Sequence, residues 1–211
     1  VSYYVSCNST VNICALDLRN ALDKMNHYGL FIKLMDRQIP VQLLQLLEFW
    51  FRSGLTWVKW GDCFSAFYSQ ARGIRQGGVL SPYLFALYID SVIEKVRRSR
   101  VGCEIRLESV GIIVYADDIL LVAPTVTALQ LLLKMCENEL NWLAMSINAS
   151  KSACLRIGKD YKTVPVCIRT IDGREIPWQD NVRYLGMHLV ANTVFTCSFD
   201  NATKSYYRAF N

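Results

Sequence analysis

Histidine is almost missing from this chain of 211 residues: His27 and His188 are the only two, and they lie far apart. No Cys-x-x-Cys pair occurs either, so a structural zinc site, which draws its ligands from clustered cysteines and histidines, is not expected. The amino end, VSYYVSCNST, lacks the basic region followed by an apolar one that marks a secretory signal. No apolar run reaches bilayer-spanning length, because Gln42, Gln45, Glu48, Asp117 and Asp118 interrupt the longest ones. A soluble, intracellular chain with no membrane partner is expected. No glycine spacing matches a Walker or dinucleotide loop.

What is present in quantity is apolar. Hydrophobic residues make up 52% of the chain, enough for a large core in one domain or in a domain with a small appendage. Eight cysteines, Cys7, Cys14, Cys63, Cys103, Cys136, Cys154, Cys167 and Cys197, are scattered mostly through apolar segments. A chain this large does not need disulfide staples, so reduced, buried thiols are expected. Asn-x-Ser/Thr triplets at Asn8, Asn148 and Asn201 read as chance without a secretory route. The formal charge of +5 is compatible with a polyanionic partner but does not demonstrate one. The densest basic run, Lys95, Arg97, Arg98 and Arg100, falls at the end of an expected helix, where cations also suit the helix dipole.

One stretch breaks the apolar pattern in a way that needs a cause. Ile112 to Tyr115 and Ile119 to Val122 flank Ala116-Asp117-Asp118, which reads as two buried strands joined by a tight turn carrying two acids. A polar hairpin tip is the plain explanation, yet two-residue hairpins favour Asn-Gly or Asp-Gly and this turn has no glycine. Two carboxylates about 4 Å apart repel by about 4 kcal/mol at an effective dielectric near 20, so a cation belongs there, and a divalent ion is the natural one.

Val11 to Leu18 reads as a buried strand containing a third acid, Asp17, between Leu16 and Leu18. Asp23 has an easy explanation near the start of a helical turn. Pro40 opens a helix over Val41 to Phe51 whose polar residues, Gln42, Gln45 and Glu48, form one narrow stripe, so the helix is expected to be mostly buried. A hairpin is expected across Gly61-Asp62. Its Trp57 and Trp60 could stack on bases, although packing is the commoner use of strand aromatics.

Gly73-Ile74-Arg75-Gln76-Gly77-Gly78 forms a glycine-bearing loop before a helix starting near Pro82. Such a loop can approach a phosphate closely, with Arg75 and Gln76 as donors, or it can simply join a strand to a helix. Phe85, Tyr88, Ile89, Val92 and Val96 then repeat at helical spacing. A second amphipathic helix is expected over Thr125 to Ala144, then a polar loop (SINASKS), a strand over Ala153 to Ile157, and short strands from Val164 to Ile171 with a turn at Asp172-Gly173. Val182 to Met187 reads as a further strand, and a helix begins near Asn201. Strand, helix, acid-bearing hairpin, helix, strand is the split βαβ order of ferredoxin-like folds. In that topology Asp17, Asp117 and Asp118 converge at one end of the sheet, an arrangement suited to two divalent metals and in-line displacement at phosphorus.

Tyr115-Ala116-Asp117-Asp118, Asp17 within ALDLRNALDKMNH, and GIRQGGVLSP, in this order, together resemble the palm of a reverse transcriptase of the non-LTR (LINE-like) retrotransposon type, over about Ile13 to Leu189. The resemblance implies an α+β right-hand palm with a βαββαβ core and appended β-hairpins, acting as an RNA-directed DNA polymerase. It implies an RNA template, a DNA primer, dNTPs and two Mg²⁺ or Mn²⁺ ions held by Asp17, Asp117 and Asp118, with Asp118 the more peripheral. Leu18 would add a backbone carbonyl, Arg75, Gln76 and Gly77 would border nucleotide and template, and Lys151 would act as a general acid near the pyrophosphate. Tyr184, Leu185 and Gly186 would belong to a primer grip. The implied layout is one partial reverse transcriptase domain with a palm core over 11–160, a primer-grip-like β region over 161–200 and the start of a thumb over 201–211, fingers and thumb being largely missing. The family usually places an aromatic residue five positions after the first aspartate, where this chain has Leu22, which implies a weaker gate against ribonucleotides. The alternative is a catalytically inactive remnant, or a nucleic-acid-binding module keeping the palm fold. No protein partner is predictable from the sequence.

Overall fold

The computed structural model describes residues 1–163 and 165–210; the expected strand start at Val164 and the last residue, Asn211, lie outside the described residues. In chain order the elements are α1 (Ser2–Ser6), β1 (Val11–Leu16), α2 (Ala21–Lys24), α3 (His27–Asp36), α4 (Val41–Ser53), β2 (Leu55–Thr56), β3 (Lys59–Trp60), β4 (Cys63–Phe64), β5 (Tyr68–Ser69) and α5 (Ser81–Ser99). They continue with β6 (Glu104–Ile105), β7 (Glu108–Ser109), β8 (Ile112–Tyr115), β9 (Asp118–Ala123), α6 (Val126–Trp142), β10 (Ala153–Ile157), β11 (Ile168–Arg169), β12 (Glu175–Ile176), β13 (Asn181–Tyr184), β14 (Met187–Val190), β15 (Thr196–Ser198) and α7 (Asp200–Phe210). The chain divides into two compact units, one of residues 1–19, 91–142 and 146–211, the other of 20–90 and 143–145.

The first unit is built on a four-stranded antiparallel sheet in the order β10-β1-β9-β8. Counting only these strands along the chain, the order is 4-1-3-2, the ferredoxin-like arrangement expected from the sequence. Side chains alternate across a strand, so β1 sends Val11 and Ile13 to one face and Cys14 and Leu16 to the other. Val11 and Ile13 join Leu120, Val122, Leu155 and Ile157 in a buried cluster, covered by Val182, Tyr184 and Leu189 of the β13–β14 hairpin. Helix α6 packs on β9 and β1. Its buried Leu129, Leu132, Leu133, Cys136 and Leu140 follow the 3.6-residue period, and each leucine contributes about 1.5–3 kcal/mol by leaving water.

Two expectations about this unit change. Strand β8 is not buried on both faces: it is the edge of the sheet, and Ile113 and Tyr115 are exposed. The single strand expected over Val182 to Met187 is a hairpin, because Leu185 and Gly186 both take left-handed φ values of 49° and 78° and turn the chain between Tyr184 and Met187. Two successive positive φ values are the requirement of a type I′ turn.

The second unit gathers α2 to α4, the paired hairpins β2–β5 and β3–β4, and the first half of α5. Tyr88 is fully buried here, accepting the Asn26 N–H at 3.3 Å and donating to the Leu143 carbonyl at 2.6 Å. Helix α4 begins after Pro40 as expected, but it has no buried residue, and Val41, Leu43, Leu46, Phe49 and Trp50 are exposed. The narrow polar stripe described the helix correctly; what it could not supply is a protein surface to cover the remaining face.

All eight cysteines are free thiols, as expected, but they are not uniformly buried: Cys14, Cys103, Cys136 and Cys154 are, whereas Cys7, Cys63 and Cys167 are exposed. Among the described residues no helix is long and apolar enough to cross a membrane.

Candidate active site

The three acids meet through strand register. Leu16 of β1 pairs with Ile119 of β9, so one step further along the antiparallel pair sets Asp17 across from Asp118. Tyr115 pairs with Asp118 to close the β8–β9 hairpin, leaving Ala116 and Asp117 as its two-residue loop. Ala116 takes a left-handed φ of 51°, a conformation that costs a residue with a Cβ about 1–2 kcal/mol and that glycine usually fills. The turn therefore forms without the glycine whose absence made the sequence hard to read.

The acids feel one another. Burial raises the Asp118 pKa above the ordinary carboxylate range, and the charges of Asp117 and Asp17 raise it further. Among the described residues none of the three takes part in an ion pair. Uncompensated negative charge at the end of the central strand pair attracts a cation, and the all-oxygen donor set fits Mg²⁺ or Mn²⁺. Among the described residues no group of three or more His, Cys, Asp or Glu side chains is placed to hold a metal ion. Mg²⁺ retains waters and uses one or two carboxylates with substrate phosphates, so it does not require three protein ligands.

Asp17 is held from the other side by the polar SINASKS loop. Its N–H donates to Ser152 Oγ at 3.1 Å and its carbonyl accepts the Asn148 N–H at 2.8 Å, while Leu18 bridges to Ile147. Lys151 lies in this loop, exposed, with its own N–H donated to the Asn148 carbonyl at 3.1 Å. The grip of Asn148 and Ser152 on Asp17 escaped the sequence reading, although a dense Asn/Ser loop is the sort that bonds nearby backbone. Tyr184 also belongs to this neighbourhood: its pKa is raised by burial and by the charge of Asp118. Leu185 and Gly186 sit at the exposed tip of the same hairpin.

The glycine-bearing loop lies in the second unit. Gly73 has φ +82°, and a Cβ there would come within 2.6 Å of the Asp23 carbonyl oxygen, so only glycine lets the loop lie against α2. The Gly73 N–H donates to the Met25 carbonyl at 2.8 Å and the Ile74 N–H to the Leu22 carbonyl at 3.0 Å. Ser81 Oγ donates to the Arg75 carbonyl at 2.5 Å, tying the loop to the start of α5. Gln76 Nε2 reaches Asp23 Oδ1 at 3.4 Å, and Arg75, Gln76 and Gly77 are exposed. Leu22 is half-buried on α2.

A ferredoxin-like sheet with uncompensated carboxylates at one end of its central strand pair has the architecture of a palm. The sequence matches the family described as reverse transcriptase (RNA-dependent DNA polymerase) over residues 7–189, and the chain belongs to that family. It is 26% identical over 183 residues to the retrovirus-related Pol polyprotein from type-1 retrotransposable element R2 of Nasonia vitripennis, covering 83% of this chain and 18% of that protein. It is 26% identical to the corresponding polyprotein from type-2 retrotransposable element R2DM of Drosophila melanogaster, with 88% and 18% covered. The RNA-directed DNA polymerase from mobile element jockey of Drosophila funebris is 27% identical, with 86% and 20% covered. The chain thus spans about a fifth of the length of these curated relatives. Among solved structures, apo telomerase of Candida tropicalis truncated from its C-terminal domain aligns with a TM-score of 0.62 at 11% identity, covering 90% of this chain and 35% of that one. Telomerase of Candida albicans aligns with a TM-score of 0.57 at 13% identity, covering 89% and 30%. At such identities the likeness is one of fold.

Proposed function

We propose that this chain is the palm of an RNA-directed DNA polymerase from a non-LTR retrotransposon, extending a DNA primer with dNTPs on an RNA template. The observation that carries this reading is the meeting of Asp17, Asp117 and Asp118 across β1 and β9, mutually repelling and without a basic partner among the described residues. The palm core is assigned to 11–160, a primer-grip-like β region to 161–200 and the start of a thumb to 201–211.

In this reading Asp17 and Asp117 would hold two Mg²⁺ or Mn²⁺ ions, with Asp118 a more peripheral acid and Leu18 offering its carbonyl oxygen. When bound, such ions lower the pKa of a hydroxyl and offset charge on a leaving pyrophosphate. The chain's own groups do the rest. The loop bonds from Asn148 and Ser152 fix Asp17 before substrate arrives, so little reorganisation is needed. Arg75, Gln76 and the open backbone of Gly77 border the nucleotide and template, and Leu22 crowds the sugar. As the primer O3′, its proton lost to water, bonds to the α-phosphorus and the bond from that phosphorus to the pyrophosphate oxygen breaks, Lys151 Nζ would give its proton to the leaving oxygen. Tyr184, Leu185 and Gly186 hold the primer end.

Primer extension on an RNA template with Mg²⁺ or Mn²⁺ tests the reading. Extension by the chain, lost on Asp117→Asn, is expected. A lack of extension with either ion, even after the chain is extended with the flanking regions of its longer relatives, overturns it and leaves a nucleic-acid-binding module with the palm fold.

A further inference from the structure

Neither Trp57 nor Trp60 belongs to the core. Trp60 is 85% exposed and Trp57 49% exposed, on short hairpins with nothing beneath them to bury. Trp57 is braced by Phe67 in a T-shaped pair, with ring centroids 5.3 Å apart and planes at 79°. Trp57 lines a cavity of about 370 Å³ within the second unit. Trp50, Phe51 and His27 line the same cavity, the Phe51 ring packing at a tilt 5.3 Å from Trp50 and 4.4 Å from His27. His27 Nε2 is engaged by the Gly73 carbonyl at 2.7 Å, so the ring is held as a wall. Ile74 lies at the bottom, and Asp23, Gln70, Arg75 and Gln76 stand at the rim.

The chemistry of this lining is specific. Aromatic walls take a flat ring, and a volume of this size is at the low end for small-ligand pockets, room for one nucleotide unit. The rim offers donors and acceptors for a base edge, a carboxylate and an amide already 3.4 Å apart in Asp23 and Gln76. Neither the Trp50 nor the Trp57 indole N–H has a hydrogen-bond partner, and Arg75 and Arg72 make no ion pair, among the described residues. Lys59 and Arg72 add positive charge on the segments bordering Trp57. An apolar protein segment would leave these donors and the cations without partners. A base on its phosphodiester strand satisfies both.

We infer that this cavity is a binding site for a single unstacked base of single-stranded nucleic acid, with Trp57 as its stacking platform and Arg75 meeting the adjoining phosphate. The assignment rests on the polymerase reading only in taking nucleic acid as the partner. It adds a contact outside the acidic centre that grips the strand through the face of a base, and so tolerates any sequence.

The test compares binding of a fluorescent short oligouridylate with that of the same strand made of abasic ribose phosphates, using the full chain, alongside primer extension by the unaltered protein. The unaltered chain should prefer the base-bearing strand. Trp57→Ala should weaken that binding about 5- to 150-fold and leave the abasic strand untouched, the range given by loss of one base–aromatic stack. Trp57→Phe should restore most of the difference, and Trp50→Ala should reproduce its loss. Trp57 is half-exposed, and unchanged melting of each variant keeps the comparison to binding alone. Equal affinity for both strands, as expected of a cavity that takes a protein segment, overturns the assignment. So does a preference that survives both alanine substitutions. A chain that shows the Trp57-dependent preference but extends no primer supports the pocket and counts against the polymerase reading.

Discussion

Replacing Asp118 by asparagine should make the protein more stable at neutral pH. Asp118 opens β9, faces Asp17 across the strand pair and follows Asp117 directly, and every recorded influence on it, burial first and then the two neighbouring charges, disfavours its ionised form. Like charges set opposite each other on adjacent strands cost roughly 0.2–1 kcal/mol. Relief of two such neighbours therefore amounts to about 0.5–2 kcal/mol. For a chain of this size each kcal/mol moves the melting temperature by roughly 2–4 °C, so Asp118→Asn should melt about 1–8 °C above the unaltered protein at neutral pH without divalent ions. The sign of the pH dependence follows from the raised pKa. The unfolded chain gives up this proton first, so stability is full below the ordinary carboxylate pKa near ~4 and is lost as pH climbs through the folded value. The advantage of asparagine should accordingly vanish in acid. Adding Mg²⁺ should raise the melting temperature of the unaltered protein more than that of the variant, because a cation bound only by the folded chain stabilises it. Calorimetry with and without Mg²⁺ reads all three effects. A variant that melts at or below the unaltered protein at neutral pH without metal would refute the claim that the carboxylates strain one another.

Glu137 poses the same question away from the site. It is buried on α6 and accepts the Ile171 N–H at 2.7 Å, yet burial raises its pKa in spite of that bond. Glutamine mimics the protonated form and keeps the acceptor. Glu137→Gln should match the unaltered protein below about pH 4 and exceed its stability above that by on the order of 1 kcal/mol; equal stability at pH 7 in urea titration would contradict the sign. The thiols should divide by environment. Burial and the Glu137 charge push Cys136 up to about 12, and burial pushes Cys103 up to about 11. A hydrogen bond with Cys154, then burial, holds Cys14 well above the ordinary thiol range. At pH 8 a chromogenic disulfide reagent should therefore modify Cys7, Cys63 and, more slowly, Cys167 in the native protein, and reach Cys14, Cys103, Cys136 and Cys154 only after denaturation. A single fast phase that includes the buried four would show that the sheet and α6 open readily. Finally, Leu22→Phe should increase discrimination of dNTPs over rNTPs by at least about tenfold in primer extension, and unchanged selectivity would end the assignment of Leu22 as a sugar gate.

The parts of the fold that the sequence revealed are those governed by local pattern. Phe85, Tyr88, Ile89, Val92 and Val96 repeat at helical spacing because α5 buries one face, and the structure places the helix over Ser81–Ser99. The expected strand over Ala153 to Ile157 is found unchanged, and the helix expected over Thr125 to Ala144 runs Val126–Trp142. Order along the chain then sufficed for the sheet, since a split βαβ unit has few ways to close. What local pattern does not contain is the position of an element within the assembly. Ile112 to Tyr115 reads like an interior strand, but no feature of those residues says that only one neighbour will pair with it. The apolar residues of α4 measure how much surface could be buried, not whether another part of the protein covers it. Leu185 in a left-handed turn is likewise set by the hairpin around it, which overrides a preference that leucine alone would obey.

The candidate site gathers several departures from what a fold ordinarily keeps around one strand end. Ala116 occupies a backbone conformation suited to glycine, three acids lie together without a basic partner among the described residues, and the buried Tyr184 hydroxyl near Asp118 has no hydrogen-bond partner among the described residues. Strain at Ala116 and an unmet buried hydroxyl each cost on the order of 1–3 kcal/mol. Each could be relieved by one substitution, glycine at 116, asparagine at 118 or phenylalanine at 184, with no change to the sheet. Folding alone gives no reason to keep all three defects around one strand end. Binding does: a cation relieves the acids, a tight turn without glycine holds Asp117 in a single conformation, and an unpaired hydroxyl beside a carboxylate is ready to meet a ligand. The destabilised strand end is thus the part of the sheet where bound metal, primer and nucleotide would restore what the fold gives up.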